Sequence, residues 1–203
     1  MKYSISEIIG LAGSGKSTTI EELRKEYSNY IYEYSDKKIN IYLLKYIFTY
    51  LRVYIKSSTI FVKSLILFHI FLHSIEQEEI STETTYMFDQ GPIFTVCMLM
   101  YEIPSMSNIF ITELKKILPY YRRVIYLEAP LDIISNRIKD REQQHRVKNM
   151  GKKEQEVFLK RYSEIYESVM DECMKRNIEV IRINTHHYSI DEVKTKINEI
   201  IHE

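Results

Sequence analysis

The sequence predicts an α/β fold: one parallel sheet of five strands covered on both faces by helices. Two observations predict it. Five short apolar runs alternate with helical patterns along the chain, as in strands joined by helical crossovers. The first run also enters a glycine-rich turn that opens directly into a helix, Ile8-Ile9-Gly10-Leu11-Ala12-Gly13-Ser14-Gly15-Lys16-Ser17. Only 5 of the 203 residues are Gly, and Gly10, Gly13 and Gly15 fall within six positions. Such clustering marks a specialised turn.

Residues 3–9, YSISEII, form the first expected strand. A helix follows over 16–28, with Ile20 and Leu23 on one face. Tyr30 to Tyr34 is a β-rich run, and 37–79 reads as two long helices with a break near Ser57-Ser58. Thr84 to Phe88 is the third strand and ends in Asp89-Gln90-Gly91-Pro92, where the proline can open a helix. Helical pattern then runs to about Leu118, broken near Pro104. Arg123 to Leu127 is the fourth strand, and a helix after Ala129-Pro130 reaches about Arg141. Residues 142–152 are polar and basic and read as a loop, followed by a long helix over 153–176. Ile178 to Ile183 is the fifth strand. Ser189-Ile190-Asp191-Glu192 is a capping box that opens a last helix to Ile200.

Length and composition fit one domain with at most a small lid. Lys+Arg and Asp+Glu both number 28, so the formal net charge is zero and no basic excess marks a nucleic-acid binder. Cys97 and Cys173 lie in no metal-like spacing and are expected to be buried, reduced thiols. The N-terminus shows no long apolar segment of the signal-peptide kind, and a cytoplasmic protein is expected. Residues 59–72, TIFVKSLILFHIFL, are too short for a membrane span and carry Lys63 and His69, so a core helix is the better reading.

The turn meets the pattern Gly-x-x-x-x-Gly-Lys-Ser with Gly10, Gly15, Lys16 and Ser17, a strand before it and a helix after. Its amides, from Gly10 through Ala12, Gly13, Ser14 and Gly15, can point at an anion, and the dipole of the helix aims its positive end there. Lys16 can reach the β- and γ-phosphates of a nucleoside triphosphate, the Ser17 hydroxyl can ligate Mg²⁺, and Thr18 can meet the α-phosphate. Asp89 ends an apolar strand, where an acid could hold Mg²⁺ or cap the following helix.

These motifs resemble the P-loop kinases of the nucleoside and nucleotide kinase superfamily over nearly the whole chain. GLAGSGKST and YMFDQ carry the resemblance first. VIYLEAPLDIISNRIKDR is similar to the fourth strand and lid helix of thymidylate and deoxyribonucleoside kinases, FLKRYSEIYESVM to the long helix after the lid, and EVIRINT to the fifth strand. The resemblance implies a sheet of order 2-3-1-4-5, a helical wall for the acceptor site over 37–80 and a lid over 137–152. It implies ATP and Mg²⁺ as cofactors and the ATP base between the lid helix and Asn184-Thr185. It also allows a homodimer. The chain departs from thymidylate kinases at Gln90, where they carry Arg in an Asp-Arg pair, and it lacks the Glu-Pro-Gly type motif after the second strand.

By the same resemblance Arg137 and Arg141, four apart on one helix face, would stabilise the phosphoryl group in transfer, with Arg146 in the lid loop. Glu33, with Asp36 three residues on, would position the acceptor hydroxyl. Plainer readings stand beside these: a solvated basic face for the arginines and surface acids for the carboxylates. Lys37, Lys38, Lys45, Arg52, Lys56 and Lys63 share a segment without acids and could favour an anionic acceptor. Tyr42, Tyr46, Tyr50 and Tyr54 could stack on a base but fit packing better. His69 and His73 lack a third ligand nearby. The expected function is ATP-dependent transfer of the γ-phosphoryl group to a small acceptor, in first place a nucleoside or nucleoside monophosphate, with a sugar or another metabolite left open and with no nucleic acid or membrane partner. The alternative is an ATP-binding regulatory module or a partner-dependent ATPase.

Overall fold

The computed structural model describes residues 4–27, 31–33, 85–140 and 146–202. Strand β1 (Ser4–Gly10) leads through the glycine-rich turn into α1 (Lys16–Tyr27). Strand β2 (Ile31–Glu33) and strand β3 (Thr85–Asp89) follow, then α2 (Pro92–Glu102) and α3 (Ser107–Ile117). The break at Pro104 is a 3₁₀ turn, Pro104–Met106. Strand β4 (Tyr121–Glu128), α4 (Leu131–Asp140), the long α5 (Lys152–Lys175), β5 (Glu179–Asn184) and α6 (Ile190–His202) complete the described chain.

All the strand pairs are parallel, and the sheet order is β2-β3-β1-β4-β5, the order expected from the resemblance. Two apolar layers enclose the sheet. Ile8, Met87, Ile125, Leu127 and Ile183 pack with Ile20 and Leu23 of α1 and Val193 and Ile197 of α6. On the other face Ile5, Ile9, Val124 and Tyr126 pack under α2, α3, α4 and α5. Alternate residues of β1 therefore enter different layers, as strand geometry requires. This places Glu7, between Ile5 and Ile9 in that alternation, in the thicker layer.

Four of the 17 tyrosines meet along helix α5. Tyr162 stacks on Tyr101 of α2 with ring centroids 4.2 Å apart, and Tyr166 on Tyr126 of β4 at 5.6 Å. Cys97 and Cys173 are free and buried in this layer, as expected. The capping box also forms: the Ser189 amide donates to Glu192 Oε2 at 2.7 Å, and the Glu192 amide to Ser189 Oγ at 3.3 Å.

Strand β4 starts two residues before the position read from sequence. Arg122 obscured its start, because a charge is a poor mark of a buried strand. Arg123 is nonetheless buried beside its register neighbour Glu179, with Nε 3.2 Å from the carboxylate.

Among the described residues no helix is long and apolar enough to cross a membrane. The 59–72 run, the helices expected over 37–79, the tyrosine stripe from Tyr42, the basic residues of that segment and His69 and His73 lie outside the described residues.

Candidate active site

The site forms where β1 and β3, neighbours in the sheet, end beside one another. Ile8 of β1 pairs with Asp89 of β3, and Glu33 of β2 pairs with Asp89 on the other side. Three adjacent strands thus bring the glycine turn, Asp89 and the backbone of Glu33 to one edge. In an open parallel sheet that carboxyl edge is where ligands bind.

In the turn, Gly13 and Gly15 adopt φ of 90° and 87°, a region that side chains resist. The Ser14 amide donates to Leu11 O at 3.0 Å and closes the bend. Helix α1 begins at Lys16, so its first amides face the hollow of the turn. Lys16 is nearly buried and Ser17 is exposed. That pairing suits a triphosphate: a confined ammonium group beside open backbone donors and a reachable hydroxyl.

Lys16 Nζ donates to Asp89 Oδ1 at 2.6 Å, and both side chains are largely shielded from solvent. Arg24 of α1 stands 3.8 Å from the other oxygen, Oδ2. Asp89 therefore faces two cations at the mouth of the turn. It does not cap α2. Gly91 holds the cap position, and no side chain caps it there.

The capping partner comes from β1. Glu7 is completely buried and receives the Ile93 amide at 3.0 Å on Oε2, the Phe94 amide at 2.9 Å on Oε1 and the Tyr121 hydroxyl at 2.7 Å on Oε2. Burial pushes its pKa up to about 7, against the pull of the three donors and of Lys16. Sequence reading missed Glu7, because one acid in a strand reads as an outward position. The available signal was the start of α2, where Gly91-Pro92 supplies no capping side chain.

Arg137 of α4 points back at the turn. Its NH1 donates to Thr185 Oγ1 at 3.0 Å and to Gly13 O at 3.4 Å, and its NH2 donates to Thr185 O at 3.0 Å. Thr185 Oγ1 in turn donates to Ser14 O at 2.8 Å. Arg137 and Thr185 thereby join α4, the glycine turn and the end of β5. They line a cleft of about 360 Å³ with Gly15, Thr18, Tyr188 and Ile190. The cleft lies between α4 and the residues that follow β5, and Arg137 faces it.

Arg141 and Asp36 lie outside the described residues. Arg146 opens a 3₁₀ turn, Arg146–Asn149, in the segment read as a loop. Among the described residues no group of three His, Cys, Asp or Glu side chains is arranged to hold a metal ion by itself. Ser17 and Asp89 could supply two oxygen donors to Mg²⁺, an ion that completes its shell with water and phosphate oxygens.

No family model matches the sequence, and no curated protein matches it. Solved structures do. Thymidylate kinase from Candida albicans is similar with a TM-score of 0.62 and 15% identity, over 99% of this chain and 92% of that one. Deoxyadenosine kinase from M. mycoides, solved with bound dCTP, is similar at 0.58 and 16%, over 98% and 100%. The YorR protein from Bacillus subtilis, solved in complex with phosphorylated GDP, is similar at 0.56 and 15%, over 98% and 95%. The chain has the fold of the P-loop nucleoside and nucleotide kinases.

Proposed function

We propose that the chain is an ATP-dependent kinase whose acceptor is a nucleoside or nucleoside monophosphate. The observation that carries the proposal is the pairing of Lys16 with Asp89 at 2.6 Å, at the mouth of the glycine turn. The fold shared with nucleoside and nucleotide kinases supports the acceptor class.

In this reading the turn amides and Lys16 bind the triphosphate, and Lys16 exchanges its contact with Asp89 for the β- and γ-phosphate oxygens. Ser17 and Asp89 would hold Mg²⁺, which would neutralise charge on the phosphates. The acceptor oxygen attacks the γ-phosphorus in line, the bond to the β-bridging oxygen breaks, and ADP leaves. The phosphate oxygen of a nucleoside monophosphate carries no proton to remove, whereas a nucleoside's hydroxyl would lose its proton to a nearby base. Glu33 suits that role because its register neighbour is Asp89. Arg137 and Thr185 fix the donor side of the cleft. By the resemblance, residues 137–152 would serve as the lid and bring Arg141 and Arg146 to the phosphates, and 37–80 would wall the acceptor site.

The missing Asp-Arg pair favours a regulatory module without transfer. Arg24, close to Asp89 from α1, supplies a guanidinium group at the same carboxylate and favours the kinase. The test uses ATP labelled in its γ-phosphate. Label recovered on a nucleoside or nucleotide supports transfer, and label found only in inorganic phosphate would reject it.

A further inference from the structure

We propose that Glu7 is a positioning residue for the Lys16–Asp89 pair, acting through the Asp89-Gln90-Gly91-Pro92 turn and the first turn of α2. The inference rests on the kinase reading of that pair.

Both oxygens of Glu7 are committed to the start of α2. One takes the Ile93 amide and the other the Phe94 amide, so the carboxylate fixes the rotation of the helix as well as its place. The hydroxyl of Tyr121, from β4, holds the carboxylate from a second side. Only Gln90 and Gly91 separate Asp89 from Pro92, and Gln90 turns the chain with φ 55°. Asp89 therefore cannot shift far while α2 is held. Phe94, whose amide Glu7 receives, places its ring 5.9 Å from Lys16 Nζ. One buried carboxylate thus anchors two neighbours of Lys16, Asp89 through the turn and Phe94 directly.

The same contact explains the Asp-Gln-Gly-Pro sequence. A Cβ at Gly91 would lie 2.7 Å from Glu7 Oε2, 2.8 Å from its carboxyl carbon and 2.8 Å from Phe88 Cβ. With φ −75° the Gly91 backbone suits any residue, so the glycine is there for space. Pro92 begins the helix without an amide to satisfy. Ser or Asp at position 91 would cap α2 at far less cost than a buried carboxylate. Glu7 couples the helix to β1, the strand that carries the glycine turn, which a cap from position 91 cannot do.

The experiment measures ATP affinity with and without Mg²⁺ for the wild type, Glu7→Gln and Gly91→Ala, below the onset of unfolding of each. Gly91→Ala keeps the carboxylate but displaces it and also presses on Phe88 Cβ, so Tyr121→Phe, which removes only the hydroxyl that holds the carboxylate, is measured beside it, and the two together decide the matter if Glu7→Gln does not fold. The expected result is loss of about tenfold or more of the Mg²⁺-dependent gain in affinity, with kcat falling more than the KM for ATP. A lowered melting temperature with that gain and kcat intact would overturn the proposal and leave Glu7 a structural cap. Binding is read without an acceptor. A wild type that binds Mg·ATP but transfers nothing would refute the kinase reading alone. A wild type with no Mg²⁺-dependent binding would refute both.

Discussion

Lys16 and Asp89 lie 73 residues apart in sequence and 2.6 Å apart in space. Parallel pairing of β1 with β3 brings them together, and each group limits the cost of burying the other. Asp89→Asn removes the anion and leaves the ammonium group of Lys16 with less compensation. The variant should lose at least about hundredfold in kcat/KM, the scale of a lost charge-stabilising group, and should melt at a lower temperature than the wild type. Steady-state rates and a thermal melt check both.

Glu7 predicts a specific pH dependence of stability. Its folded pKa of about 7 lies above its ordinary value of 4.5, so the folded state holds the proton more tightly. Stability from this group is complete below about pH 4.5 and is lost as pH rises through 7. The difference is on the order of 3 kcal/mol. Denaturant unfolding of the wild type and Glu7→Gln between pH 4.5 and 8 should show the falling slope in the wild type and a flatter curve in the variant.

Arg137 and Thr185 act as one unit, because Thr185 Oγ1 accepts from Arg137 and donates to Ser14 O. Arg137→Ala and Thr185→Val should each weaken ATP binding by about tenfold, the scale of a charge-assisted hydrogen bond. The double variant should lose less than the product of the two. A coupling energy of about 1 kcal/mol is expected from contacting residues, read by titration with ATP.

The ion pairs of Arg182 with Glu167 and Glu128 are conspicuous, with NH2 2.6 Å from Glu167 Oε2 and NH1 3.2 Å from Glu128 Oε2. Glu167 holds the Arg182 pKa above its ordinary value, and Arg182 draws that of Glu167 down. The groups are over a third exposed on average, so solvent screens them. Arg182→Gln should cost no more than about 1 kcal/mol, and less at high salt. Chemical denaturation at two ionic strengths checks this.

Much of this was legible in the sequence. The glycine turn identifies itself because three of the few glycines stand beside Lys16, and a strand and a helix flank it. The helix break at Pro104 and the capping box at Ser189 are local signals and appear as read. Glu7 was not legible because its partners, Ile93, Phe94 and Tyr121, lie 86, 87 and 114 residues away. Arg24 was hidden for the same reason: on the sequence it is a helix-end cation, and only the sheet order brings it to Asp89. Strand order itself came from resemblance, since periodicity says which residues form strands and not which strands pair.

The most direct test of the kinase account is ADP formation from Mg·ATP by the purified chain, with and without a panel of nucleosides and nucleoside monophosphates, beside Lys16→Ala. The account predicts acceleration by at least one of these acceptors and its loss in Lys16→Ala. ADP formation that no acceptor accelerates, or that Lys16→Ala retains in full, would contradict it.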